Sequence, residues 1–397
     1  MAFVIPQGFS AAGVHAGIKR NPTRQDVALV VSNRPAAAAG VYTKNLVYAA
    51  PVAFDRRLTP GDGFRAVVIN SGNANACTGD RGLSDAAEMA RLAASTCGAE
   101  PKQALVLSTG IIGEFMPMEK IAAGIKACAK DLAPEEAGFI AAARGMMTTD
   151  TVHKLHSATV TVGQRGFHIA GMCKGAAMIA PNMGTMLGLV LTDAPVAARD
   201  LQRMLNEVVD DTFNCISVDG HMSTNDTVLL LANGAAGGEK LSGDGLVQIQ
   251  NALHEVCAEL ARSIPADGEG ATHLVCIDVK GCATAGAARQ IAKSVADSPL
   301  VKTAIHGADP NWGRIVSAAG YAGVPFNPSG VNLDVNGFIL YKDGAPAAFS
   351  AEQVSSSIKT HRETSIVLSF REGNASARFW TADLTAEYVR LNADYHT

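Results

Sequence analysis

Six segments of the chain keep small polar residues and glycines together where a plain hydrophobic core would use apolar ones. Buried hydroxyl and amide groups must each find a hydrogen-bonding partner, so such density is unusual for residues that only build a scaffold. Side chains of this kind can supply a nucleophile, stabilise an oxyanion or bind a charged substrate. The segments are residues 70–79, 108–113, 148–151, 174–185, 223–227 and 307–314.

Thr185, which follows Gly184, could be a nucleophile. A threonine hydroxyl attacks poorly unless a base accepts its proton, and an N-terminal threonine can use its own α-amine as that base. An internal threonine must first be exposed by cleavage, and Gly184 tolerates strained dihedral angles and has no side chain to obstruct its carbonyl. The alternative is that Thr185 only begins the apolar strand TMLGLVL, because threonine is common in strands.

Two further groups could assist such chemistry. Thr109 and Gly110 follow an apolar strand, so a hydroxyl and a backbone N–H could point at one spot and form an oxyanion hole. Lys174 lies eleven residues before Thr185, where its ammonium could hold a carboxylate or lower the pKa of an amine. The alternatives are an ordinary turn at residues 108–110 and a solvated surface lysine.

Other chemistry finds little support. His153 and His156 lie three residues apart, but nothing near them completes a metal site and their Thr-rich surroundings do not favour a helix. The eight cysteines form no C-x-x-C pair and are interpreted as small buried hydrophobic residues. The phosphate-binding G-x-x-x-x-G-K-[ST], a complete G-x-G-x-x-G and the hydrolase G-x-S-x-G are absent from the sequence. The residues therefore predict neither a metal site, nor nucleotide binding, nor an ordinary serine hydrolase.

The elements that must position these residues alternate between strands and helices, which predicts an α/β or α+β fold. Predicted strands cover residues 27–31, 66–70, 104–108, 215–218 and 227–231, the last two forming a strand pair. Predicted helices cover residues 84–98, 119–132, 134–147, 197–209 and 246–263. Ser84 is expected to cap the first of these helices and Gly98 to end it. The alternation restarts near Leu274, so we expect a linker or ligand loop at residues 268–272.

Composition restricts the class of protein further. The 397 residues carry 33 Lys and Arg against 37 Asp and Glu, a net charge of −4 that disfavours nucleic acid as the main partner. The apolar runs are too short to cross a bilayer, so no membrane partner is expected. The N-terminal residues lack the charged and apolar blocks of a secretory signal, which predicts a cytoplasmic protein.

Nine segments, in order along nearly the whole chain, resemble the ornithine acetyltransferase (glutamate N-acetyltransferase) family of arginine biosynthesis. They are AAGVHAGIK at 11, INSGNANACTG at 69, STGIIG at 108, MTTDT at 147, KGAAMIAPNMGTML at 174, STNDTVLLLANG at 223, DGEGATHL at 267, SPLVKTAIHGADPNWGRI at 298 and NADYHT at 392.

The resemblance implies a precursor that cleaves itself between Gly184 and Thr185, as N-terminal nucleophile enzymes do. The products would be an α chain of residues 1–184 and a β chain of residues 185–397, held together as an α2β2 assembly. It also implies layered sheets packed between helices, with a catalytic domain of residues 1–272 and a smaller C-terminal α/β domain of residues 273–397. No metal or nucleotide cofactor is implied, whereas some family members also accept acetyl-coenzyme A.

The resemblance assigns roles to particular residues of this chain. Thr185 would take the acetyl group of N2-acetyl-L-ornithine and pass it to L-glutamate in two half-reactions, while Thr109 and Gly110 stabilise the oxyanion. Lys174 would hold a carboxylate and Glu269 an ammonium. The remaining substrate-holding positions are Thr148 or Thr149, of which Thr149 is assigned, together with Asn392, Thr397 and Thr185 itself.

This chain departs from the family pattern at four positions. Gly184 replaces the usual alanine, Ala176 and Ala177 replace a serine and a glycine, and His221 stands where an acidic residue is more usual. These departures leave three alternatives open. They are a related acyltransferase with another donor or acceptor, a threonine-nucleophile aminopeptidase or amidase, and an uncleaved binding or assembly protein.

Overall fold

The computed structural model describes residues 3–180 and 186–394. The strands in this part of the chain are β1 (Phe9–Val14), β2 (Val27–Tyr42), β3 (Gly61–Asn73), β4 (Ala104–Ile111), β5 (Lys154–Val162), β6 (Arg165–Lys174), β7 (Leu187–Thr192), β8 (Ile216–Ser217), β9 (Thr227–Ala232), β10 (Leu274–Cys282), β11 (Asn332–Val335), β12 (Phe338–Lys342), β13 (Ala345–Pro346), β14 (Glu363–Ser369) and β15 (Ala375–Ala382). The helices are α1 (Ala50–Arg56), α2 (Gly79–Ser95), α3 (Met118–Lys130), α4 (Glu136–Met146), α5 (Ala198–Asp211), α6 (Asp244–Ala266), α7 (Ala285–Ala296), α8 (Pro299–His306), α9 (Trp312–Gly320), α10 (Ala351–Thr360) and α11 (Ala386–Asp394).

The strands form two sheets. The first has the order β4-β3-β2-β9-β7-β6-β5, and β1 pairs with the N-terminal half of β2. The second has the order β13-β12-β11-β14-β10-β15-β8. Within the first sheet β3 and β4 are parallel, as are β7 and β9, and the other pairs are antiparallel.

The first sheet folds over on itself because β2 changes register against β3 between Val31 and Ala36. On either side of this irregularity, successive residues of β2 pack alternately into two different apolar clusters, as the period of two along a strand requires. Leu105 and Leu107 of β4 share a core cluster with Leu189 of β7 and Leu229 of β9, although three strands separate β4 from β7 in the sheet. The two halves therefore face each other across one apolar layer.

Helices cover the outer face of each half. Met89 of α2 and Ile121 of α3 pack against Leu29 and Val68 on the half that contains β2, β3 and β4. On the other half, α5 and α6 pack against β6, β7 and β9 in a separate apolar cluster. The result is a helix, sheet, sheet, helix sandwich, which confirms the predicted α/β class with layered sheets between helices.

The second sheet is smaller and joins the sandwich through α6. Helix α6 packs on β5 and β6 of the first sheet and also contacts β15. Leu274 and Trp380 of the second sheet accordingly belong to the same core cluster as the buried face of α6. The opposite face of the second sheet packs against α7, α8, α9 and α10. The division of the chain into domains after residue 272 remains a prediction. Strand β8 precedes that point in the chain and yet pairs with β15 of the second sheet.

Two local expectations are wrong. Residues 215–218 and 227–231 do not form a strand pair, because β8 pairs with β15 in the second sheet while β9 lies between β2 and β7 in the first. Ser84 does not begin a helix, since α2 starts at Gly79 and ends at Ser95. The extra turn is possible because Gly82 has no Cβ, which would lie 1.9 Å from the Thr78 hydroxyl.

Nowhere in residues 3–180 and 186–394 does a helix combine the length and apolar character needed to cross a membrane.

Candidate active site

Polar residues lie together at the carboxyl ends of β3 and β4 and just before the start of β9. Asn70 pairs with Ser108 and Gly72 with Gly110, so the carboxyl ends of β3 and β4 lie side by side. Asn225, just before β9 in the other layer, donates from Nδ2 to the Ser108 carbonyl at 2.8 Å. The 108–113 and 223–227 segments therefore meet across the two layers.

Lys174 and Thr109 form a second contact between the layers. Lys174 ends β6, is buried to 3% exposure, and pairs with Leu187 at the start of β7. Its Nζ donates to the Thr109 hydroxyl over 3.4 Å, which is a long hydrogen bond. Burial lowers the pKa of Lys174, while the Asp150 carboxylate opposes that shift. The structure thus joins two of the residues that the sequence singled out.

Gly110 occupies a position that only glycine fits. Its φ is +135°, a conformation that residues with a side chain rarely adopt. A Cβ built at Gly110 would lie 2.3 Å from the carbonyl carbon of Gly72, inside the neighbouring backbone. The close approach of β3 and β4 at this point therefore requires glycine.

Asp150 organises the backbone beside Lys174. Its carboxylate accepts from Gly175 N at 2.7 Å, from Thr148 N at 3.0 Å and from Lys154 Nζ at 2.7 Å. Burial alone would raise the pKa of Asp150, but Lys174 and Lys154 hold it below its usual range. Asp150 is consequently an anion at neutral pH, and the half-buried Thr149 lies directly before it in the chain.

Glu269 and Asn392 are hydrogen-bonded to each other, and Glu269 also contacts Ala176, two residues after Lys174. Glu269 N donates to the Ala176 carbonyl at 2.9 Å, and Asn392 Nδ2 donates to Glu269 Oε2 at 2.9 Å. Asn392 lies on α11, which also anchors it through the Tyr388 carbonyl at 3.0 Å. The loop after α6 and the C-terminal helix thus converge on the segment that begins with Lys174.

Gly184, Thr185 and Thr397 lie outside the described residues. The described chain resumes at Met186, whose N donates to Asp226 Oδ1 at 3.0 Å. Asp226 is completely buried, and burial raises its pKa well above the usual value. Sequence reasoning singled out residues 223–227 but gave Asp226 no role.

Lys19 is a further cation near the end of β3, and sequence reasoning missed it. Its Nζ donates to the carbonyls of Gln25 at 2.7 Å and Met147 at 2.6 Å. A Cβ added to Gly72 would lie 3.3 Å from the Lys19 side chain, so the lysine lies against the end of β3. Burial lowers the pKa of Lys19 to about 8. The available signal was its place in AAGVHAGIK.

His221 replaces the acidic residue that is more usual in the family, but the carboxylate of Asp219 lies beside it. His221 is exposed, and its N donates to Asp219 Oδ1 at 3.2 Å. Asp219 also accepts from Met178 N at 2.6 Å and Ile179 N at 2.9 Å, just after Ala176 and Ala177. The carboxylate of Asp219 therefore contacts the 176–180 segment beside His221.

The described part of the chain contains no group of three or more His, Cys, Asp and Glu side chains arranged to hold a metal ion.

The layered α/β fold brings buried Lys174 and Asp150 and half-buried Glu269 to neighbouring segments, and such a group of charged side chains could bind a small, charged ligand. The sequence profile of the ArgJ family matches residues 10–397. The chain belongs to the ArgJ family, which confirms the membership predicted from the sequence.

Relatives match this chain over almost its full length. It is 48% identical to the arginine biosynthesis bifunctional protein ArgJ of Rhodopirellula baltica, over 99% of this chain and 97% of that protein. It is 47% identical to the same protein of Symbiobacterium thermophilum, over 99% of this chain and 98% of that protein. A solved chain of the Bacillus halodurans protein superposes with a TM-score of 0.51 and 39% identity, covering 52% of this chain and 98% of its own. Membership favours an acyltransferase of arginine biosynthesis over the amidase and binding-protein alternatives.

Proposed function

We propose that the protein transfers the acetyl group of N2-acetyl-L-ornithine to L-glutamate. The observation that carries this proposal is a pair of opposite charges near residue 176. Lys174 lies two residues before it, and the backbone N–H of Glu269 donates to the Ala176 carbonyl. A buried ammonium suits the α-carboxylate that both amino acids carry, and a carboxylate suits the distal ammonium of ornithine. Membership of the ArgJ family supports the same substrates.

The proposed reaction has two halves. In the first, the Thr185 hydroxyl attacks the acetyl carbonyl and gives its proton to the threonine's α-amine, while the Thr109 hydroxyl and Gly110 N–H stabilise the oxyanion. The carbon–nitrogen bond then breaks, the proton passes to the leaving nitrogen, and ornithine departs. This leaves an acetyl ester on Thr185. In the second half, the glutamate amine attacks the ester, and the proton it loses returns to the threonine oxygen.

The α-amine of Thr185 exists only if the Gly184–Thr185 bond is cut, so we propose that the protein cleaves itself there and remains as an α2β2 assembly. The solved Bacillus halodurans chain supports this step, because 98% of it aligns with only 52% of the present chain. Cleavage before Thr185 would give a β chain of 213 of the 397 residues, which is also just over half.

The remaining substrate contacts are assigned to Thr149, Asn392 and Thr397. Asn392 supports this assignment through its bond to Glu269, which places its amide beside the proposed ammonium site. The Thr185 chemistry requires no metal or nucleotide. We further propose a cytoplasmic enzyme, because all eight cysteines lie in the described ranges and are unpaired thiols, as a reducing compartment would keep them.

Intact-mass spectrometry under denaturing conditions tests the proposal. We expect two fragments, with only the one that begins at Thr185 gaining an acetyl group after brief incubation with N2-acetyl-L-ornithine. Added glutamate should remove that group and yield N-acetylglutamate. The Thr185→Ala variant should stay intact and carry no acetyl group.

Two results would contradict the proposal. An intact wild-type chain of 41.1 kDa without an adduct would favour a binding protein. Steady release of acetate without glutamate would indicate an amidase. A parallel incubation with acetyl-coenzyme A shows whether this thioester also loads Thr185.

A further inference from the structure

Lys154 is a buried lysine between two carboxylates, and the proposed reaction gives it no role. It begins β5 and is only 3% exposed. Its Nζ donates to Asp150 Oδ1 at 2.7 Å and to Asp267 Oδ2 at 2.6 Å. A buried ammonium needs such partners, because an isolated charge is strongly disfavoured in an apolar interior.

One arm of this bridge leads to the proposed carboxylate site. The same Asp150 oxygen that accepts from Lys154 also accepts from Gly175 N at 2.7 Å. Gly175 directly follows Lys174, so the position of Asp150 sets the backbone from which the Lys174 side chain extends.

The other arm leads to the proposed ammonium site. Asp267 follows the last residue of α6 and lies two residues before Glu269. Its carboxylate accepts from Thr151 N at 3.1 Å as well as from Lys154. The loop that carries Glu269 is therefore tied to the segment containing Asp150.

The two arms close into a ring. Glu269 N donates to the carbonyl of Ala176, which is two residues after Lys174. Contacts thus run from Lys174 through Asp150, Lys154 and Asp267 to Glu269, and return to the Lys174 segment through Ala176. A ring of short contacts fixes the separation of its members better than a single contact does.

We propose that Lys154 is a positioning residue that sets the separation between Lys174 and Glu269, and with it the preference of the site for an amino acid that carries an ammonium at its distal end. This inference rests on the proposed function, because it takes Lys174 and Glu269 as the groups that hold the two ends of the substrate.

The test compares two acetyl donors that differ only at the distal end. N2-acetyl-L-ornithine carries the distal ammonium, and N2-acetyl-L-norvaline has the same carbon chain without it. Lys154→Met should lower kcat/KM for acetylornithine about tenfold to hundredfold, the range expected when a substrate is misplaced by about 1 Å. The same variant should change kcat/KM for acetylnorvaline by less than about threefold, since this donor engages only one of the two ends.

Lys302→Met is the matched control, because Lys302 is also a buried lysine, 5% exposed, and bonds to the Thr381 hydroxyl at 2.9 Å in the second sheet. It should lower thermal stability without changing the ratio of the two kcat/KM values. Lys154→Arg, which keeps the charge and donors, should recover part of the preference for acetylornithine. If Lys154→Met does not fold, Asp267→Asn weakens the same contact with little change of shape.

Equal losses on both donors in the Lys154 and Asp267 variants would overturn the positioning role and leave a purely structural one. Failure of the wild-type enzyme to transfer acetyl from either donor would instead overturn the proposed function, so the two failures are distinguishable.

Discussion

Met186 N donates a hydrogen bond to Asp226 Oδ1 at 3.0 Å, and this carboxyl group is completely buried. The donor is the nitrogen of the peptide bond between Thr185 and Met186. A neutral carboxylic acid or an amide can also accept this bond, without the desolvation penalty of a buried charge. The buried acid therefore adds a pH dependence to the stability of this region.

Asp226→Asn should become more stable relative to the wild type as the pH rises. Burial raises the pKa of Asp226 in the folded state, so the folded protein holds this proton to a higher pH than the unfolded chain does. The wild type consequently loses stability as the pH rises from about 4 through the raised pKa, and the amide variant does not. Thermal unfolding midpoints at pH 5 and pH 8 measure the difference. Asp226→Ala, which leaves Met186 N without its acceptor, should be less stable than Asp226→Asn by about 1–3 kcal/mol at both pH values. An Asn variant whose midpoint follows the wild type across the range would contradict this account.

Gly110→Ala should abolish acetyl transfer or prevent folding, because the added Cβ would overlap the backbone of Gly72. Gly113→Ala is the control. Gly113 also has a positive φ, +88°, but a Cβ there meets no atom within 4 Å. Gly113→Ala should lose only about 1–3 kcal/mol of stability, the cost of a side chain at this φ, and should retain acetyl transfer. Soluble yield and acetyl transfer per folded molecule separate the two, and similar behaviour of both variants would refute the close-approach argument.

Asp150→Asn should raise the KM for N2-acetyl-L-ornithine about tenfold, because Lys174 loses the anion that supports its charge. Lys174 also faces Lys154, Asp226 and Glu269, and Lys19 lies near enough to interact with it. Removing one anion lowers the pKa of Lys174 further, so a lower assay pH should restore part of the affinity. KM measured from pH 6.5 to pH 9 tests this.

Asp193→Asn is the control for Asp150→Asn. Asp193 is equally buried and accepts from two backbone amides, Gln7 N at 3.0 Å and His168 N at 2.8 Å, at the far end of β7. Both variants should lose stability, but only Asp150→Asn should change KM. A KM that rises in both would show that the effect is general loosening of the fold.

Lys19→Met should lose stability relative to the wild type as the pH rises from 7 to 10. Burial lowers the pKa of Lys19 from 10.5 to about 8, so between these values the unfolded chain binds a proton that the folded protein has released. Wild-type stability therefore rises across this window, by at most about 3 kcal/mol, and the methionine variant lacks this gain. Denaturant unfolding of both proteins across the range measures it. A constant difference between them would show that Lys19 keeps its proton.

The sequence predicted the strands and helices better than their partners. Periodicity located β9 and the apolar part of β4, because each buried strand is a run of branched residues bounded by polar ones. It wrongly paired residues 215–218 with residues 227–231, because adjacency in sequence says nothing about which of two sheets a short strand joins. The fold of the first sheet at β2 depends on a change in register against β3 near Pro35, and a proline can indicate such an irregularity but not which strands pair on either side of it.

The site shows the same division. Lys174, Thr109 and Glu269 could be found because they stand in unusual segments that resemble a known family. Asp150 and Lys154 could not be given roles, because a charged residue beside threonines and histidines is usually solvated. Their burial and mutual contact follow only from the path of the chain between α4 and β5 and from the return of the chain after α6.

Helix α6 touches both sheets and ends at the loop that carries Glu269. Its apolar face shares one cluster with strands of the first sheet and with Leu274 and Trp380 of the second. Loss of the packing of either sheet on α6 would therefore expose part of the apolar face of this helix. Because α6 contributes to the packing of both sheets, local opening at one sheet should be coupled to opening at the other, which hydrogen exchange of the two sheets can measure.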